Sequence, residues 1–221
     1  MNLSSDTVAI LKNFSDINQG ILVKPGNKLQ TISTLKNILA EAEVPEKFDQ
    51  EFAIYDLPEF LRAVDLFDKK TLKFNGGQNL TIADENSKQS IKYYFADKSV
   101  VVTPTKAITM PDKYATFQIK SDTFNKLMRG VTTLNLPDIA VKGENGTISL
   151  VAMDKKTPGS NNYKIDIGDT NKVFCAYFKS EHFKMIPGDY DVAISSQKIS
   201  HFINTNKSIQ YWVAIEPDSE F

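Results

Sequence analysis

Side chains that commonly perform catalysis are scarce in this sequence, and their neighbours do not complete a site. The chain has two histidines and one cysteine among 221 residues. His201 stands between Ser200 and Phe202, without an acidic or cysteine partner at the spacing of a metal site. Cys175, being alone, cannot form an internal disulfide, which favours a reducing compartment. We therefore expect no catalytic residue, no metal site and no cofactor.

Two further patterns that could bind phosphate or metal also lack essential partners. The glycines at 76–77 and 143–146 have neither the lysine nor the helix that a phosphate-binding loop requires. Asp65 and Asp68 lie on a predicted helix among basic residues, Arg62 and Lys69, so ion pairs are favoured over metal ligation.

Charge and hydropathy exclude several broad classes of protein. Lys and Arg number 26 against 27 Asp and Glu, and the net charge of −1 argues against a protein that coats nucleic acid with its whole surface. It leaves room for basic residues gathered on one face. The hydrophobic share of 41% is typical of globular proteins. No apolar run approaches the roughly 18 residues of a membrane span, and residues 1–6 lack the start of a secretory signal. We expect neither membrane association nor secretion.

An internal repeat in the sequence indicates which helices and strands carry the residues discussed above. Residues 3–11 and 119–127 both place Ser-Asp-Thr where a helix should begin, at an offset of 116 positions. Any of these three side chains can cap a helix by accepting from amides of its first turn. Apolar residues then follow at helical spacing. The predicted stripes are Val8, Leu11, Phe14 and Ile17 in the first copy, and Phe124, Leu127, Met128, Val131 and Leu134 in the second.

A second matching pair lies downstream, at an offset of 122 positions. Residues 52–60 and 174–182 each predict a short strand that enters a helix, and Pro58 suits a first helical turn. The second helix is expected to be short because 187–188 is Pro-Gly. The alignment places Cys175 opposite Ala53, as a small core residue of a buried strand, and His182 opposite Phe60, as a packed or partly exposed histidine.

The segments between the predicted helices are typical of antiparallel strands. Ala40, Ala42 and Val44 alternate with two glutamates, and the turn at 143–146 separates two apolar runs, which predicts a hairpin. We predict an α+β fold of two similar domains, each with about two helices packed on antiparallel β-sheet. The domains are expected at 1–108 and 109–221, with a connector near 102–114.

The ordered motifs resemble the sliding clamps of T-even-type bacteriophages. The resemblance runs over essentially the whole chain and is weakest at 69–99 and 157–172. The matching segments are 3–7, 11–14, 17–21, 53–57, 60–61, 185–190 and 213–219, with Phe221 at the end.

This resemblance implies a DNA clamp fold in which three protomers close head to tail into a ring around duplex DNA. The ring tethers the replicative DNA polymerase and is opened by an ATP-driven clamp loader, which supplies any ATP hydrolysis. The resemblance also implies coactivation of phage late transcription, and action in the cytoplasm of the infected bacterial host. Two alternatives remain open: a non-enzymatic structural or assembly protein with a duplicated β-rich domain, and a small nucleic-acid-modifying enzyme.

Under the resemblance, the DNA-facing residues are basic side chains on or beside the helices, away from the apolar stripes. Asp16, Asp65 and Asp68 lie nearby and dilute this positive charge, and an ordinary solvated helix face is the alternative interpretation. The expected set is Lys12, Arg62, Lys120, Lys126, Arg129, Lys179 and Lys184, with Lys69 and Lys70 at the end of the second helix.

A groove for the apolar tail of a partner protein is expected near the connector and the last strand. Aromatic, Met and Pro side chains suit such docking. For Trp212 and Ile215 an ordinary core position is the alternative. The expected groove residues are Val102, Pro104, Ile108, Met110, Tyr114, Trp212, Ile215 and Pro217.

Overall fold

The chain forms two compact units, residues 1–106 and 107–221. The structure is a computed structural model and describes residues 1–84 and 88–221. The division falls within the connector predicted at 102–114.

The first unit contains two helices and seven antiparallel strands among its described residues. Strand β2 pairs with β3, β1 pairs with β4, and β5, β6 and β7 form a three-stranded sheet. The elements are α1 (Ser5–Ile17), β1 (Ile21–Val23), β2 (Gly26–Ile32), β3 (Ile38–Phe48), β4 (Phe52–Ile54), α2 (Leu57–Asp65), β5 (Lys70–Phe74), β6 (Asn79–Asp84), β7 (Ser90–Tyr94) and a 3₁₀ turn (Lys98–Val100).

The second unit contains one α-helix and eight antiparallel strands. Four strands lie in the order β11-β10-β9-β12, and the other four in the order β15-β14-β13-β8. The elements are β8 (Ala115–Ile119), α3 (Ser121–Leu134), β9 (Asp138–Glu144), β10 (Thr147–Met153), β11 (Tyr163–Asp169), β12 (Phe174–Lys179), a 3₁₀ turn (Ser180–His182), β13 (Tyr190–Ile194), β14 (Ile199–Asn204) and β15 (Ile209–Ala214).

Both predicted helix starts are confirmed, at Ser5 and Ser121. In α1 the Ser4 hydroxyl accepts from the Thr7 amide at 3.2 Å, and Glu46 of β3 accepts from the Ser4 amide and the Thr7 hydroxyl. Burial raises the pKa of Glu46, but these hydrogen bonds outweigh it and the pKa is lowered. Lys120 offers α3 no side-chain cap; Asp189 instead accepts from the Ser121 amide at 2.7 Å.

The apolar stripes are confirmed in their main residues and depart at three positions: Val8 and Met128 are only half-buried, and Leu134 is exposed. Val8 is only half-buried, because the buried face of α1 also takes in Thr7 and Ile10. Leu134 is 38% exposed, because α3 ends there and Asn135 turns the backbone to φ 49°. The buried residues are Thr7, Ile10, Leu11, Phe14 and Ile17 in α1, and Phe124, Leu127 and Val131 in α3.

The second pair of the repeat also appears, with one shortened element. Where α2 follows β4, the strand β12 is followed by a single 3₁₀ turn. Ala53 and Cys175 each form an isolated bridge to a later residue, Ala96 and Glu220 respectively. The packed position expected for His182 is confirmed: it is 9% exposed, and burial lowers its pKa.

The prediction that Cys175 is a core residue is wrong. Along β12 the buried positions are Phe174, Ala176 and Phe178, so Cys175 points to the opposite face and is half-buried. Burial still raises the pKa of its thiol. A nucleophilic cysteine needs a lowered pKa, so this environment does not activate it.

The strand and hairpin predictions are confirmed. Ala40, Ala42 and Val44 are buried in β3, and Glu43 is exposed. The β9–β10 hairpin turns at Asn145 and Gly146, with φ 52° and 82°. Positive φ at both central residues is the two-residue turn that matches strand twist.

Candidate nucleic-acid interface

The outer faces of α1 and α2 carry alternating charge. Both helices bury their apolar stripes, and α1 packs against α2, β2 and β3. Lys12 and Arg62 are exposed, as expected for side chains available to DNA. The other charged residues exposed on these two helices are Asp6, Asp16, Glu59 and Asp65.

Asp65 joins Lys12 and Lys70 in a three-residue ion network. Its carboxylate oxygens lie 3.0 Å from Lys12 Nζ and 2.9 Å from Lys70 Nζ. The hydrogen bonds from Lys70 and Lys12 lower the pKa of Asp65. The ion pairs predicted for Asp65 therefore form, although with residues of α1 and β5 rather than with its sequence neighbours. Asp68 is exposed and forms no ion pair with a described residue.

On α3 an acidic and two basic residues share the exposed face. Lys126 Nζ lies 2.6 Å from Asp122 Oδ2, an i,i+4 ion pair, and this hydrogen bond raises the pKa of Lys126. Arg129 follows one turn later. Within residues 1–84 and 88–221, neither Arg129 nor Arg62 has an ion-pair or hydrogen-bond partner. Among the residues predicted to face DNA, these two guanidinium groups are therefore the ones that no described carboxylate holds.

The remaining residues predicted to face DNA differ in their exposure and in their pairing with carboxylates. Lys120 is exposed and lies 3.1 Å from Asp189 at the start of α3, and Lys184 is exposed in the loop before β13. Lys179 is the exception: its Nζ lies 2.6 Å from Asp138 Oδ1, and the Asp138 side chain is 1% exposed. This hydrogen bond raises the pKa of Lys179. This pairing favours a structural role for Lys179, since a buried carboxylate needs a counter-ion, and its contact with DNA stays a prediction.

The residues expected to form a groove divide between the units. Val102 and Pro104 belong to the first unit and the others to the second. Val102 and Pro217 are exposed, Ile108 and Met110 are half-buried, and Pro104 is buried.

Tyr114, Trp212 and Ile215 have structural partners in the second unit. Tyr114 packs edge-on against Phe174 and Phe221, with ring centroids 5.9 and 5.3 Å apart. Trp212 is 8% exposed, and its ring stacks on that of His201 at 4.5 Å. Ile215 is 4% exposed. For Trp212 and Ile215 the core position, the alternative from the sequence, is what the structure has.

Two open strand edges were not anticipated from the sequence. β7 is the last strand of its three-stranded sheet, and β11 is the last of its four-stranded sheet. The Phe95 amide donates to the Gln78 carbonyl at 2.9 Å, so by antiparallel alternation Lys92 and Tyr94 direct their backbone groups towards the open edge. Tyr94 is 64% exposed there.

Among the described residues, no three His, Cys, Asp or Glu side chains are grouped as metal ligands would be. None of the helices in the described ranges is long and apolar enough to cross a membrane.

Comparison with known proteins connects this geometry to a family. Residues 4–103 match the family model described as DNA polymerase processivity factor, and residues 116–217 match the C-terminal gp45 sliding clamp model. The sliding clamp of Vibrio phage KVP40 is 32% identical to this chain, over 98% of this chain and 99% of that protein. The chain belongs to the phage sliding-clamp family. The clamp of Enterobacteria phage T4 is also 32% identical, over 99% of this chain and 98% of the relative.

The clamp fold extends to much more distant structures. The proliferating cellular nuclear antigen of Entamoeba histolytica superposes with a TM-score of 0.69 at 14% identity, over 95% of this chain and 94% of that one. Its counterpart from Thermococcus kodakaraensis gives a TM-score of 0.70 at 9% identity, over 96% of both chains. At such identities the likeness concerns the fold, and it confirms the predicted clamp architecture.

Proposed function

We propose that this clamp encloses duplex DNA in a ring of three protomers and holds the replicative DNA polymerase on it. The observation that carries the proposal is the cationic set on the exposed helix faces: Lys12 on α1, Arg62 on α2, and Lys126 and Arg129 on α3. Such side chains can contact phosphates without reading bases, which suits a protein that must move along any sequence.

The internal repeat supports a ring. Because α1 and α3 begin at equivalent positions of the two copies, three protomers repeat a similar helix six times around the DNA. Head-to-tail interfaces generate a closed ring when the rotation per protomer divides a full turn. The open edges of β7 and β11 are suited to join protomers, since an unpaired strand edge is a template for a strand of another chain.

The partners are proposed from the family. The match to a DNA polymerase processivity factor supports a polymerase, held by its apolar tail near Ile108, Met110 and Pro217 of the second unit. An ATP-driven clamp loader would open the ring. Late-transcription factors are further partners, and we propose action in the cytoplasm of an infected bacterium because the relatives are phage proteins.

The decisive experiment is retention on DNA of different topology. The clamp is incubated with a phage clamp loader and ATP on nicked circular DNA, and retained protein is measured after gel filtration. We expect retention that depends on loader and ATP and is lost when the circle is cut. Equal retention on linear and circular DNA would contradict topological enclosure and favour a structural or assembly protein.

A further inference from the structure

Carboxylates outnumber cations on the exposed faces of α1 and α2. Two cations, Lys12 and Arg62, stand against four exposed carboxylates: Asp6, Asp16, Glu59 and Asp65. A surface intended for tight phosphate binding does not need this excess of acid, because each carboxylate repels the phosphates that a nearby cation attracts. The excess therefore needs a reason.

Asp65 is the member of this set with the most specific geometry. It accepts from Lys12 of α1 at 3.0 Å and from Lys70 of β5 at 2.9 Å. Lys12 retains 55% of its side-chain exposure. The carboxylate thus holds two cations that would otherwise be available to a polyanion.

The electrostatics of α2 do not account for an acid at this position. Asp65 is the last residue of α2, and the C-terminal end of a helix carries partial negative charge that disfavours a carboxylate. The pairing with Lys12 and Lys70 has to offset this repulsion. Asp122 on α3 is different, because it lies in the first turn, where a carboxylate stabilises the helix in addition to pairing with Lys126.

We propose that Asp65 is a positioning residue that withholds Lys12 and Lys70 from DNA phosphates and so keeps the clamp's hold on DNA weak enough for sliding. The inference rests on the proposed function, since it concerns the same DNA-facing surface. A lysine reaches a phosphate only by leaving Asp65, so one anion replaces another and little net attraction is gained. Without the carboxylate, each released lysine adds a full phosphate contact.

The test is a salt-dependent titration of a fluorescent linear duplex with the full-length clamp. Asp65→Asn is expected to bind more tightly at low salt, with a steeper fall in affinity as salt rises. For each lysine that gains a phosphate, the affinity should fall about 3.5-fold more between about 50 and 200 mM salt. Asp65→Glu should behave like the parent, because the negative charge is retained.

Two further variants separate a local effect from a general change in charge. Glu41→Gln is the matched control: it also adds one positive charge and releases a lysine, Lys28 at 2.8 Å, but on the strands β2 and β3. It should leave the salt dependence unchanged. Lys12→Gln should cost more affinity in the Asp65→Asn background than in the parent, because only there is Lys12 free.

Each outcome decides the inference. If the parent binds DNA and Asp65→Asn matches Glu41→Gln in affinity and salt dependence, the role of Asp65 is refuted while the proposed function stands. If neither the parent nor Asp65→Asn associates with the linear duplex at any salt concentration, this inference fails, whereas the proposed function is decided separately by loader-dependent retention on circular DNA. Tighter binding by Asp65→Asn alone supports the inference, and circular dichroism should show the same secondary structure in all variants.

Discussion

Lysines and arginines on the helices differ in how firmly neighbouring carboxylates hold them. Arg62 and Arg129 have no acidic partner among the described residues, whereas Lys12 and Lys126 are paired with Asp65 and Asp122. Exposed pairs of this kind exchange readily, because solvent screens them and their stabilisation is small. The arginines are therefore expected to make the most persistent phosphate contacts.

Charge reversal on α3 should weaken the association with DNA. For Lys126→Glu with Arg129→Glu, we expect the slope of log affinity against log salt to fall by about 0.9 for each phosphate that is no longer bound, and polymerase processivity to decrease. Both side chains are exposed, so the circular dichroism spectrum should stay native. The matched control is Lys24→Glu with Lys47→Glu, which makes the same change of charge at exposed positions outside the helices. Unchanged processivity in the α3 variant would remove these residues from the lining.

Lys179 should affect stability rather than DNA binding. Lys179→Met leaves the buried Asp138 carboxylate without its counter-ion, and because Lys179 is partly exposed we expect a loss of about 1–3 kcal/mol in the free energy of unfolding. Urea denaturation measures the loss, and Lys179→Arg should recover part of it. A variant as stable as the parent but defective on DNA would restore Lys179 to the lining.

Packing of α3 on the strand β11 depends on one small residue. Gly130 lies against the Tyr163 ring, and a Cβ added at Gly130 would stand 2.5 Å from Tyr163 Cδ1. Alanine is the better helix former by about 1 kcal/mol, so glycine at this position is explained by the ring and not by the helix. The contact therefore sets how closely α3 approaches the strand that ends its sheet.

Gly130→Ala should destabilise the clamp despite its helix propensity. Overpacking costs about 1–3 kcal/mol, which exceeds the gain in propensity and leaves a net loss of about 1 kcal/mol. In a Tyr163→Ala background the same substitution should stabilise by about 1 kcal/mol, because the ring is gone. Thermal denaturation of the four proteins tests this reversal, and a loss of equal size in both backgrounds would show that the ring is not the cause.

Assembly of protomers into a ring depends on the strands at the edges of the sheets. The first unit ends its three-stranded sheet at β7, and the second ends its four-stranded sheet at β11. Both are among the strands that end sheets in the described part of the chain, and natural proteins usually cover or charge such edges, so an edge that stays uncovered favours self-association.

We expect a trimer in sedimentation equilibrium and dissociation when the β7 edge is blocked. Lys92→Pro removes a backbone N–H that faces the open edge and leaves the hydrogen bonds to β6 in place. Lys92→Ala is the matched control, since it removes the same side chain and its contact with Tyr94 but keeps the N–H. A parent protein that stays monomeric at high micromolar concentration would contradict the ring, and a trimeric Lys92→Pro variant would exclude β7 from the interface.

Local patterns in the sequence were sufficient for the helix starts at Ser5 and Ser121, the alternation along β3, the hairpin at Asn145-Gly146 and an α+β fold of two similar domains; the clamp fold came from the family resemblance. Side-chain period and turn geometry act between residues close in sequence, so they can be predicted without coordinates, whereas the first amide of α3 is held by Asp189 from far along the chain. Pairings across the fold could not be: Asp65 with Lys12 and Lys70, Lys179 with Asp138, and Cys175 on the outer side of β12. Each depends on which face of one element meets another, and tertiary packing alone decides that. The sequence by itself therefore determined the elements and the family, and the tertiary structure decided which charges are free to meet DNA.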